Sequence, residues 1–535
     1  MNKAAFRGLF FIIVVGALLF RLLGLDLRPM HHDEANQAVK FGRLLEKGEY
    51  RYDPSDHHGP SLYYLTLPLA WAFSKTTLAS LDEVILRLLP ALFGAGVLLL
   101  LLLFVKGMGR TAVFFAGLFA ALSPAMVYYS RFYIQEMLFV FFVIGFLGSL
   151  WRYLLYPWTA WALSAGLCAG MMYATKETSV IVFAAAGLAL ILTMVFQKIK
   201  PQTPYHFIAP GFANFFLGLI VAFLAAAAFF TSFLKNRQGI WDSLAAFKTY
   251  FEKSGADGFH IQPWPYYFKL LAFSKSGGGP LWSEALILAL ALVGIVSAFA
   301  LRRQKWAVPS PARFIFLYTL FSAAVFSIIP YKTPWNLLPF YAGFIILAGI
   351  GAAFLLDLFA KIPVKALVLL VLAGGIYHLG LESYRANFVF YADPANPYVY
   401  AQTGTDFLKL VKRVTDVAAI HPDDKKMLIK VICGPYETWP LPWYLRGFER
   451  VGYWQDAGEA GTLFDAPVII SDQDQAAKLR PLLEDKFQSE YYGLRPGVFL
   501  VLHIREDLWQ EYLKRSLHGS IFYGDVILKR CRNRP

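Results

Sequence analysis

The sequence predicts a polytopic α-helical membrane protein that ends in a soluble α/β domain. Of its 535 residues, 57% are hydrophobic and only 16% are charged, which is far more apolar than a soluble protein. Apolar runs of about 20 residues, the length of helix that crosses a bilayer, recur until about Leu381 and then stop. We therefore expect a transmembrane domain at residues 1–382 and a soluble domain at residues 383–535.

Eleven apolar runs are long enough to span a membrane. They lie near residues 8–25, 84–105, 111–129, 137–154, 159–174, 178–197, 211–234, 281–300, 312–330, 336–356 and 364–382. The first run resembles a signal peptide, but no small-residue cleavage site follows it, so we predict a retained helix. The apolar segment 61–74 is short and follows Gly59-Pro60, which favours an interfacial or re-entrant helix over a span.

Positive charge orients these spans, because cytoplasmic connections are enriched in Lys and Arg. With eleven spans, the predicted cytoplasmic connections carry Lys3, Arg7, Lys106, Arg110, Arg152, Lys198, Lys200, Arg302, Arg303, Lys305, Arg313, Lys361 and Lys365, with Asp357 as their one acid. We therefore expect a multi-pass protein of the inner or plasma membrane with a cytoplasmic N-terminus and an extracytoplasmic C-terminal domain.

The net charge of +14 does not indicate a nucleic-acid-binding protein. From Ser383 onward there are 20 basic and 19 acidic residues, so nearly all of the excess lies in the membrane part. Positive-inside bias and phosphate binding explain that distribution better than a basic stripe would.

The C-terminal segment alternates between two kinds of pattern. Residues 426–433, 466–471 and 498–504 have the pattern of buried strands, and they alternate with helical patterns at 405–418, 475–483 and 507–517. This alternation predicts a small α/β domain. Two of the three cysteines, Cys433 and Cys531, fall in this domain and could form a disulfide bond or remain free thiols.

Five predicted outer loops carry most of the ionisable residues of the membrane part. They contain the stretch from Met30 to Tyr64 with His31, His32, Asp33, Glu34, Asp53, Asp56, His57, His58 and Tyr63, the turn Arg131 to Glu136, the pair Lys176-Glu177, His260, and Lys332 to Asn336. Because ionisable residues at membrane depth are costly, their clustering on one side predicts a reaction centre or binding site there.

Each of these residues also has a structural interpretation. Asp33 and Glu34 could cap a helix that begins near Ala35. Arg131 and Glu136 could form a structural salt bridge, and Lys176-Glu177 could anchor a helix at the interface. His260 lies near several aromatic residues and fits an ordinary interfacial histidine.

In combination, these motifs resemble the GT-C superfamily of membrane glycosyltransferases, which includes protein O-mannosyltransferases and lipid A aminoarabinose transferases. The closest likeness is to the prokaryotic flippase-activity-associated branch. The resemblance rests on His32-Asp33-Glu34-Ala35, Asp53-Pro54, His58-Gly59-Pro60, Tyr63-Tyr64, the turn Arg131 to Glu136, Lys332-Thr333-Pro334-Trp335-Asn336, and Trp439-Pro440-Leu441-Pro442-Trp443-Tyr444-Leu445. The turn departs from the family pattern, with Phe132 after the arginine and the acid three residues beyond Tyr133.

The resemblance implies inverting transfer of a sugar from a polyprenyl-phosphate-linked donor to an extracytoplasmic acceptor hydroxyl. A carboxylate is needed to deprotonate the acceptor, and Asp33 is our prediction for that base, with Glu34 or Glu136 orienting a substrate. Cations suit the phosphate leaving group, and the sequence offers Arg131, Lys176 and Lys332. We further expect His57, His58, Tyr63 and His260 to contact substrate.

The histidines leave open whether a metal takes part. His32, Asp33 and His58 could bind Mn²⁺, Mg²⁺ or Zn²⁺, or the histidines could hydrogen-bond sugar hydroxyls instead. The alternative function is that of a non-catalytic accessory protein that binds lipid-linked sugars for a flippase or glycosylation complex. A transporter is disfavoured, because the spans read as uninterrupted and polar groups gather at one edge.

Overall fold

The computed structural model describes residues 1–56, 58–199, 211–256, 260–300, 310–359 and 361–518. The chain divides into two compact units. The first contains Met1–Leu27 and Lys40–Tyr400, and the second contains Arg28–Val39 together with the chain from Ala401 onward. The short segment that carries Asp33 therefore belongs to the same unit as the C-terminal residues. The limits drawn from composition, 1–382 and 383–535, stay a prediction.

The first unit is almost entirely helical. Its helices are α1 (Lys3–Leu22), α2 (His32–Lys47, whose first residues belong to the second unit), α3 (Ser61–Ala72), α4 (Glu83–Leu100), α5 (Val105–Met108), α6 (Arg110–Leu122), α7 (Pro124–Tyr129), α8 (Glu136–Leu155), α9 (Thr159–Tyr173), α10 (Ser179–Ile199), α11 (Phe212–Phe230), α12 (Gly239–Ala256), α13 (Tyr266–Ala272), α14 (Ala285–Ala300), α15 (Ser310–Ile328), α16 (Leu338–Leu358) and α17 (Ile362–Tyr384).

Each of the eleven predicted apolar runs is mostly helical, which confirms a multi-pass helical membrane protein. In the described part of the chain, six helical stretches are long and apolar enough to cross a membrane, and four further apolar helices are shorter. The number of spans therefore stays a prediction. Helix α3 has 12 residues, short of the length that spans a bilayer.

One predicted run, 111–129, is broken into α6 and α7. The break has a local cause. Ser123 ends α6, and its side chain accepts a hydrogen bond from the N–H of Met126, while Pro124 takes the first position of α7. A Ser-Pro pair is a typical helix start, since proline has no N–H to satisfy there.

Helix α16 lies at the centre of the bundle and packs through small residues. A Cβ added at Gly351 would lie 1.9 Å from the carbonyl oxygen of Leu290 in α14, and one at Gly349 would lie 2.3 Å from that of Ala112 in α6. Such close backbone approach is how helices associate in lipid, where apolar burial alone gives little preference. Helices α11 and α17 instead expose most of their apolar side chains, as expected for lipid-facing helices.

The second unit contains a mixed five-stranded sheet. Its strands are β1 (Ile429–Ile432), β2 (Val451–Trp454), β3 (Val468–Asp472), β4 (Phe487–Arg495) and β5 (Val498–Arg505), in the order β2-β1-β3-β5-β4. Strands β2, β1 and β3 pair in parallel, and β3, β5 and β4 pair antiparallel. The helices are α18 (Phe407–Ala418), α19 (Leu441–Tyr444), α20 (Gln473–Leu483) and α21 (Glu506–His518).

Two apolar clusters cover the two faces of this sheet. Leu410 of α18 and Leu508 of α21 pack with Val431 and Ile470 on one face, and Leu479 of α20 packs with Ile469 on the other. The predicted α/β fold is thus confirmed, with its three strands and three helices in place. Strands β2 and β4 were missed, because half-exposed strands with polar residues or glycine lack a buried-strand pattern.

Candidate active site

Glu34 caps the start of α2 from a fully buried position. Its Oε2 accepts a hydrogen bond from the backbone N–H of His31 at 3.1 Å, and its Oε1 lies 3.9 Å from Nη2 of Arg28. A carboxylate in the first turn of a helix accepts hydrogen bonds from backbone N–H groups that lack a partner in the helix. Its negative charge also interacts favourably with the positive end of the helix dipole. Glu34 therefore has the helix-capping contacts of the structural interpretation given above.

Asp33, its neighbour, has a different environment. The side chain is 33% exposed, and its carboxylate lies 3.7 Å from Nδ1 of His31. The backbone N–H of Asp33 donates to that same nitrogen at 3.0 Å, so neutral His31 carries its proton on Nε2. The ring of His32 lies 5.9 Å from the ring of Trp439. Of the two acids, only Asp33 is accessible from outside the protein.

A buried ion pair joins three separate parts of the first unit. Glu136 begins α8, Lys176 lies between α9 and α10, and Asn336 lies in the turn Pro334–Leu337. The ammonium of Lys176 donates to Oε1 of Glu136 and, at 2.7 Å, to Oδ1 of Asn336. The side chains of Lys176 and Glu136 are only 3% and 1% exposed.

The second oxygen of Glu136 is the notable feature of this group. Oε2 is buried and has no hydrogen-bond partner among the residues that the structure describes. A buried carboxylate oxygen left unsatisfied costs about 1–3 kcal/mol or more. The group is therefore suited to accept a hydrogen bond from a hydroxyl that is not part of the chain.

Glu177 organises a second polar group beside this pair. Its Oε2 lies 2.8 Å from Nδ1 of His58, and its Oε1 accepts a hydrogen bond from the hydroxyl of Tyr52 at 3.0 Å. Burial raises the pKa of Glu177, but the charge of His58 and the hydrogen bonds outweigh it, so the pKa lies below its ordinary value. The carboxylate of Glu177 therefore favours its ionised form. His57 lies outside the described residues.

Two of the predicted phosphate ligands bind backbone carbonyls at helix ends. The guanidinium of Arg131 donates to the carbonyl oxygens of residues 20, 21, 23 and 24, at the end of α1. Lys332 donates to the carbonyl oxygens of Gln262 and Ile329, the latter just after α15. Burial lowers the pKa of Lys332. Arg131 at the end of α1 and Lys332 at Ile329 thus satisfy carbonyls that a helix end leaves without partners.

Tyr63 and His260 lie in aromatic surroundings. Tyr63 is fully buried, and its ring lies 4.9 Å from that of Tyr50. His260 is 2.5 Å from the hydroxyl of Tyr400 through Nδ1, and its ring packs 4.7 Å from that of Tyr331. Their predicted substrate contacts stay predictions.

An apolar cavity of about 910 Å³ lies among helices α8 to α12. Aliphatic and aromatic side chains line it almost completely, and Tyr173 and Phe230 form one part of the wall. The ring of Tyr52, which binds Glu177, lies 4.8 Å from that of Phe230. The cavity therefore adjoins the Glu177 group and has the volume and apolar lining of a site for a large hydrophobic ligand.

Sequence reasoning missed Glu284, which falls inside the predicted span 281–300. In the structure α14 begins at Ala285, and Glu284 is buried immediately before that helix. Its carboxylate accepts hydrogen bonds from the hydroxyls of Ser123, Tyr341 and Tyr398 and from the N–H of Ala125. That run was therefore not free of polar groups. A lone carboxylate in an apolar run was the signal that could have identified it.

The residues that the structure describes form no ready-made metal centre. Within neither unit do the described residues bring three His, Cys, Asp or Glu side chains together as metal ligands. His32 and Asp33 are neighbours in the second unit, and His58 belongs to the first.

Comparison with known proteins gives a family match and several structural matches. The family model described as dolichyl-phosphate-mannose-protein mannosyltransferase matches residues 11–235. ArnT from Cupriavidus metallidurans, solved bound to undecaprenyl phosphate, matches with 15% sequence identity and a TM-score of 0.63, over 92% of this chain and 98% of that chain. No curated protein sequence matches significantly.

An archaeal enzyme shares the same architecture. The oligosaccharyltransferase from Archaeoglobus fulgidus, solved in complex with Zn and sulfate, matches with 14% identity and a TM-score of 0.52, over 95% of this chain and 76% of that chain. The same protein has been solved with an inhibitory peptide and a dolichol-phosphate, matching with 13% identity and a TM-score of 0.52, over 93% of this chain and 74% of that chain. At such identities the likeness establishes the fold.

Proposed function

We propose that this chain, a membrane protein with the GT-C fold of lipid-dependent glycosyltransferases, moves a sugar from a polyprenyl-phosphate-linked donor to an acceptor hydroxyl with inversion. The resemblance to that superfamily is confirmed by the family match and by the structural matches. The likeness to the flippase-activity-associated branch stays a prediction.

The observation that carries the proposal is the unsatisfied oxygen of Glu136 beside Lys176. Oε2 of Glu136 is buried without a described partner. Lys176 has three N–H donors and two described acceptors. One site thus offers an acceptor for a sugar hydroxyl and a donor for a phosphate oxygen, which together are the two polar parts of a sugar phosphate.

Asp33 is the general base of this proposal. The acceptor hydroxyl gives its proton to Asp33 as its oxygen bonds to the anomeric carbon, and the bond from that carbon to the phosphate oxygen breaks. Polyprenyl phosphate leaves with the electron pair. Support comes from the exposure of Asp33, which is 33%, compared with the complete burial of Glu34. General-base catalysis of this kind contributes about 10²- to 10⁴-fold.

The leaving phosphate needs charge stabilisation more than protonation. Lys176 is the first choice for that role, because it keeps a donor that no described residue occupies. Arg131 and Lys332 already bind helix-end carbonyls. We therefore assign them a supporting role, in which they hold the ends of α1 and α15 in place.

The apolar cavity among α8 to α12 is our proposed site for the polyprenyl chain. Its lining contains almost no polar surface, and its wall at Phe230 leads through Tyr52 to Glu177. We further propose that the N-terminus is cytoplasmic and that the reaction takes place on the outer side of the membrane, since the connections on the opposite side are rich in Lys and Arg.

The test measures release of labelled sugar from a polyprenyl-phosphate hexose by the purified full chain. We expect Asp33→Asn to lower turnover by about 10²-fold or more, because an amide cannot accept the proton. The matched control is Asp26→Asn, an exposed acid a short distance before Asp33. The control should keep the activity and thermal midpoint of the wild type.

Two results would count against the proposal. Turnover that survives in Asp33→Asn would remove Asp33 as the base. A wild type that binds the lipid but turns over none of several donors would favour the accessory, carrier-binding function instead.

A further inference from the structure

The C-terminal α/β residues hold the backbone of the Asp33 segment directly. Both belong to the second compact unit. The N–H of Met30 donates to the hydroxyl of Tyr444 at 2.9 Å, and the side-chain amide of Gln402 donates to the carbonyl of Pro29 at 2.8 Å. Two successive residues, three and four positions before Asp33, are thus tied to side chains more than 370 residues away.

Tyr444 is held in turn by the sheet. It ends α19, its ring lies 5.3 Å from that of Phe407, and it packs against the apolar cluster on one face of the sheet. The loop that leads to α19 begins at the end of β1, where the N–H of Gly434 donates to Asp472 at 2.7 Å. Asp472 ends β3, so two parallel strands fix the start of the loop.

Gln402 is equally constrained. Its side chain is buried, and it lies shortly before α18, which covers the same face of the sheet. The N–H of Gly404 donates to the carbonyl of Leu494 in β4 at 2.8 Å. A buried amide with a defined partner on a rigid support has little freedom to move.

Inside the segment, short contacts pass this constraint on to Asp33. Met30 is fully buried, the N–H of His31 donates to Glu34, and the N–H of Asp33 donates to His31. A shift of Met30 therefore moves the turn on which Asp33 sits. The segment has no strand or helix of its own before His32 to resist such a shift.

We infer that Tyr444 and Gln402 are positioning residues that set the placement of Asp33, so that the α/β domain is part of the catalytic apparatus. The inference rests on the proposed function of Asp33. It also gives the Trp439 to Leu445 motif a role, because that motif supplies Tyr444. Small displacements of a catalytic group lower rates steeply, by roughly 10²-fold for 1 Å.

The test uses Tyr444→Phe in the full-length protein, since it removes one hydroxyl and keeps the ring. We expect kcat to fall by roughly 10-fold, as for one lost hydrogen bond, with the KM for the donor unchanged. Hydrogen exchange in a peptide covering residues 29–41 should become faster, while peptides covering β1 and β3 stay protected. The matched control is Tyr491→Phe, a 66% exposed tyrosine of β4.

A double-mutant cycle separates positioning from general damage. If Tyr444 acts through Asp33, Tyr444→Phe should lower the rate of the wild type but leave the residual rate of Asp33→Asn unchanged. Equal losses in both backgrounds would overturn the inference. If Tyr444→Phe does not fold, Gln402→Met takes its place. That variant removes the contact to Pro29 and is combined with Asp33→Asn in the same double-mutant cycle.

The exchange measurement does not depend on turnover. Unchanged exchange at residues 29–41 in a folded Tyr444→Phe overturns the inference even if the enzyme is active. Faster exchange with an unchanged kcat overturns it as well. A wild type without any turnover would instead refute the proposed function, and exchange alone would then decide whether Tyr444 holds the segment.

Discussion

At the scale of single residues, neighbouring charged groups in this protein have different surroundings. Glu34 is buried and binds backbone, whereas Asp33 is one-third exposed. Lys176 and Glu177 are also adjacent, yet Lys176 binds Glu136 and Asn336, and Glu177 binds His58 and Tyr52. The side chains of adjacent residues point in different directions. The two members of each pair therefore contact different polar groups.

The buried pair of Lys176 and Glu136 gives a prediction about single and double variants. Lys176→Met should destabilise the protein by about 3–5 kcal/mol, because it leaves a buried carboxylate without a cation. Replacing both residues, with Glu136→Leu added, should recover much of that loss but should not restore donor binding. Thermal unfolding and binding of polyprenyl phosphate by the full chain measure the two effects.

A surface pair provides the control. Lys75 and Asp82 lie 3.4 Å apart and are 27% and 44% exposed, so Lys75→Met should cost less than about 1 kcal/mol. If the double variant bound the donor as tightly as the wild type, the pair would be purely structural.

At the scale of elements, strand β5 contains a histidine whose ionisation opposes folding. His503 lies between Ser471 of β3 and Ser489 of β4, with its ring nitrogens 3.0 and 2.8 Å from their hydroxyls. Burial lowers the pKa of His503 from 6.5 to about 4. The folded state therefore favours neutral imidazole, and the unfolded state takes up a proton more readily.

This strand makes stability depend on pH. The contribution of neutral His503 to the free energy of unfolding is fully present above about pH 6.5. It is lost as the pH falls toward 4, by on the order of 3 kcal/mol in all. We expect the thermal midpoint of the full chain to fall less between pH 7 and pH 5 in His503→Gln than in the wild type. His421→Gln, at a partly exposed position, should behave like the wild type. An identical pH response in His503→Gln would contradict the prediction.

Helix α10 allows a test of the apolar cavity. Gly187 lines the cavity, and a Cβ added there meets nothing within 4 Å. Gly187→Leu should therefore fill space without disturbing the helix and should raise the KM for a long polyprenyl donor several-fold. A donor with a short prenyl chain should be affected less, because it buries less apolar surface.

Gly16 in α1 is the matched control for that substitution. It also has open space around its Cβ position, but it does not line the cavity. Gly16→Leu should leave the KM of both donors unchanged. A Gly187→Leu variant with unchanged KM for the long donor would place the polyprenyl chain elsewhere.

At the scale of the whole molecule, the distribution of charge predicts the orientation in the membrane. Lys361 and Lys486 are both exposed, one in the connection between α16 and α17 and the other between α20 and β4. We expect Lys486→Cys to react with a membrane-impermeant maleimide on intact cells, and Lys361→Cys to react only after permeabilisation. The parent chain shows the background from native cysteines, of which Cys433 is buried. The reverse labelling pattern would show that the protein has the opposite orientation in the membrane.

Much of the architecture could be predicted because its causes are local. A helix in lipid needs a continuous apolar run, so the runs ending near Leu381 marked the helices of the first unit. The buried strands β1, β3 and β5 followed from short apolar segments. Strands β2 and β4 escaped because they are partly exposed. The two alternatives for Cys433 and Cys531, a disulfide bond or free thiols, both stand, since Cys531 lies outside the described residues.

The sequence by itself determined the class of protein, the helical runs and the residues around which a site was proposed, because hydrophobicity and charge act along the chain. Only the tertiary structure decided which of those residues share a hydrogen bond. Lys176 meets Glu136 across 40 residues and Asn336 across 160, and Met30 meets Tyr444 across 414. Such partners depend on how distant turns are brought together by packing, and no local pattern records that.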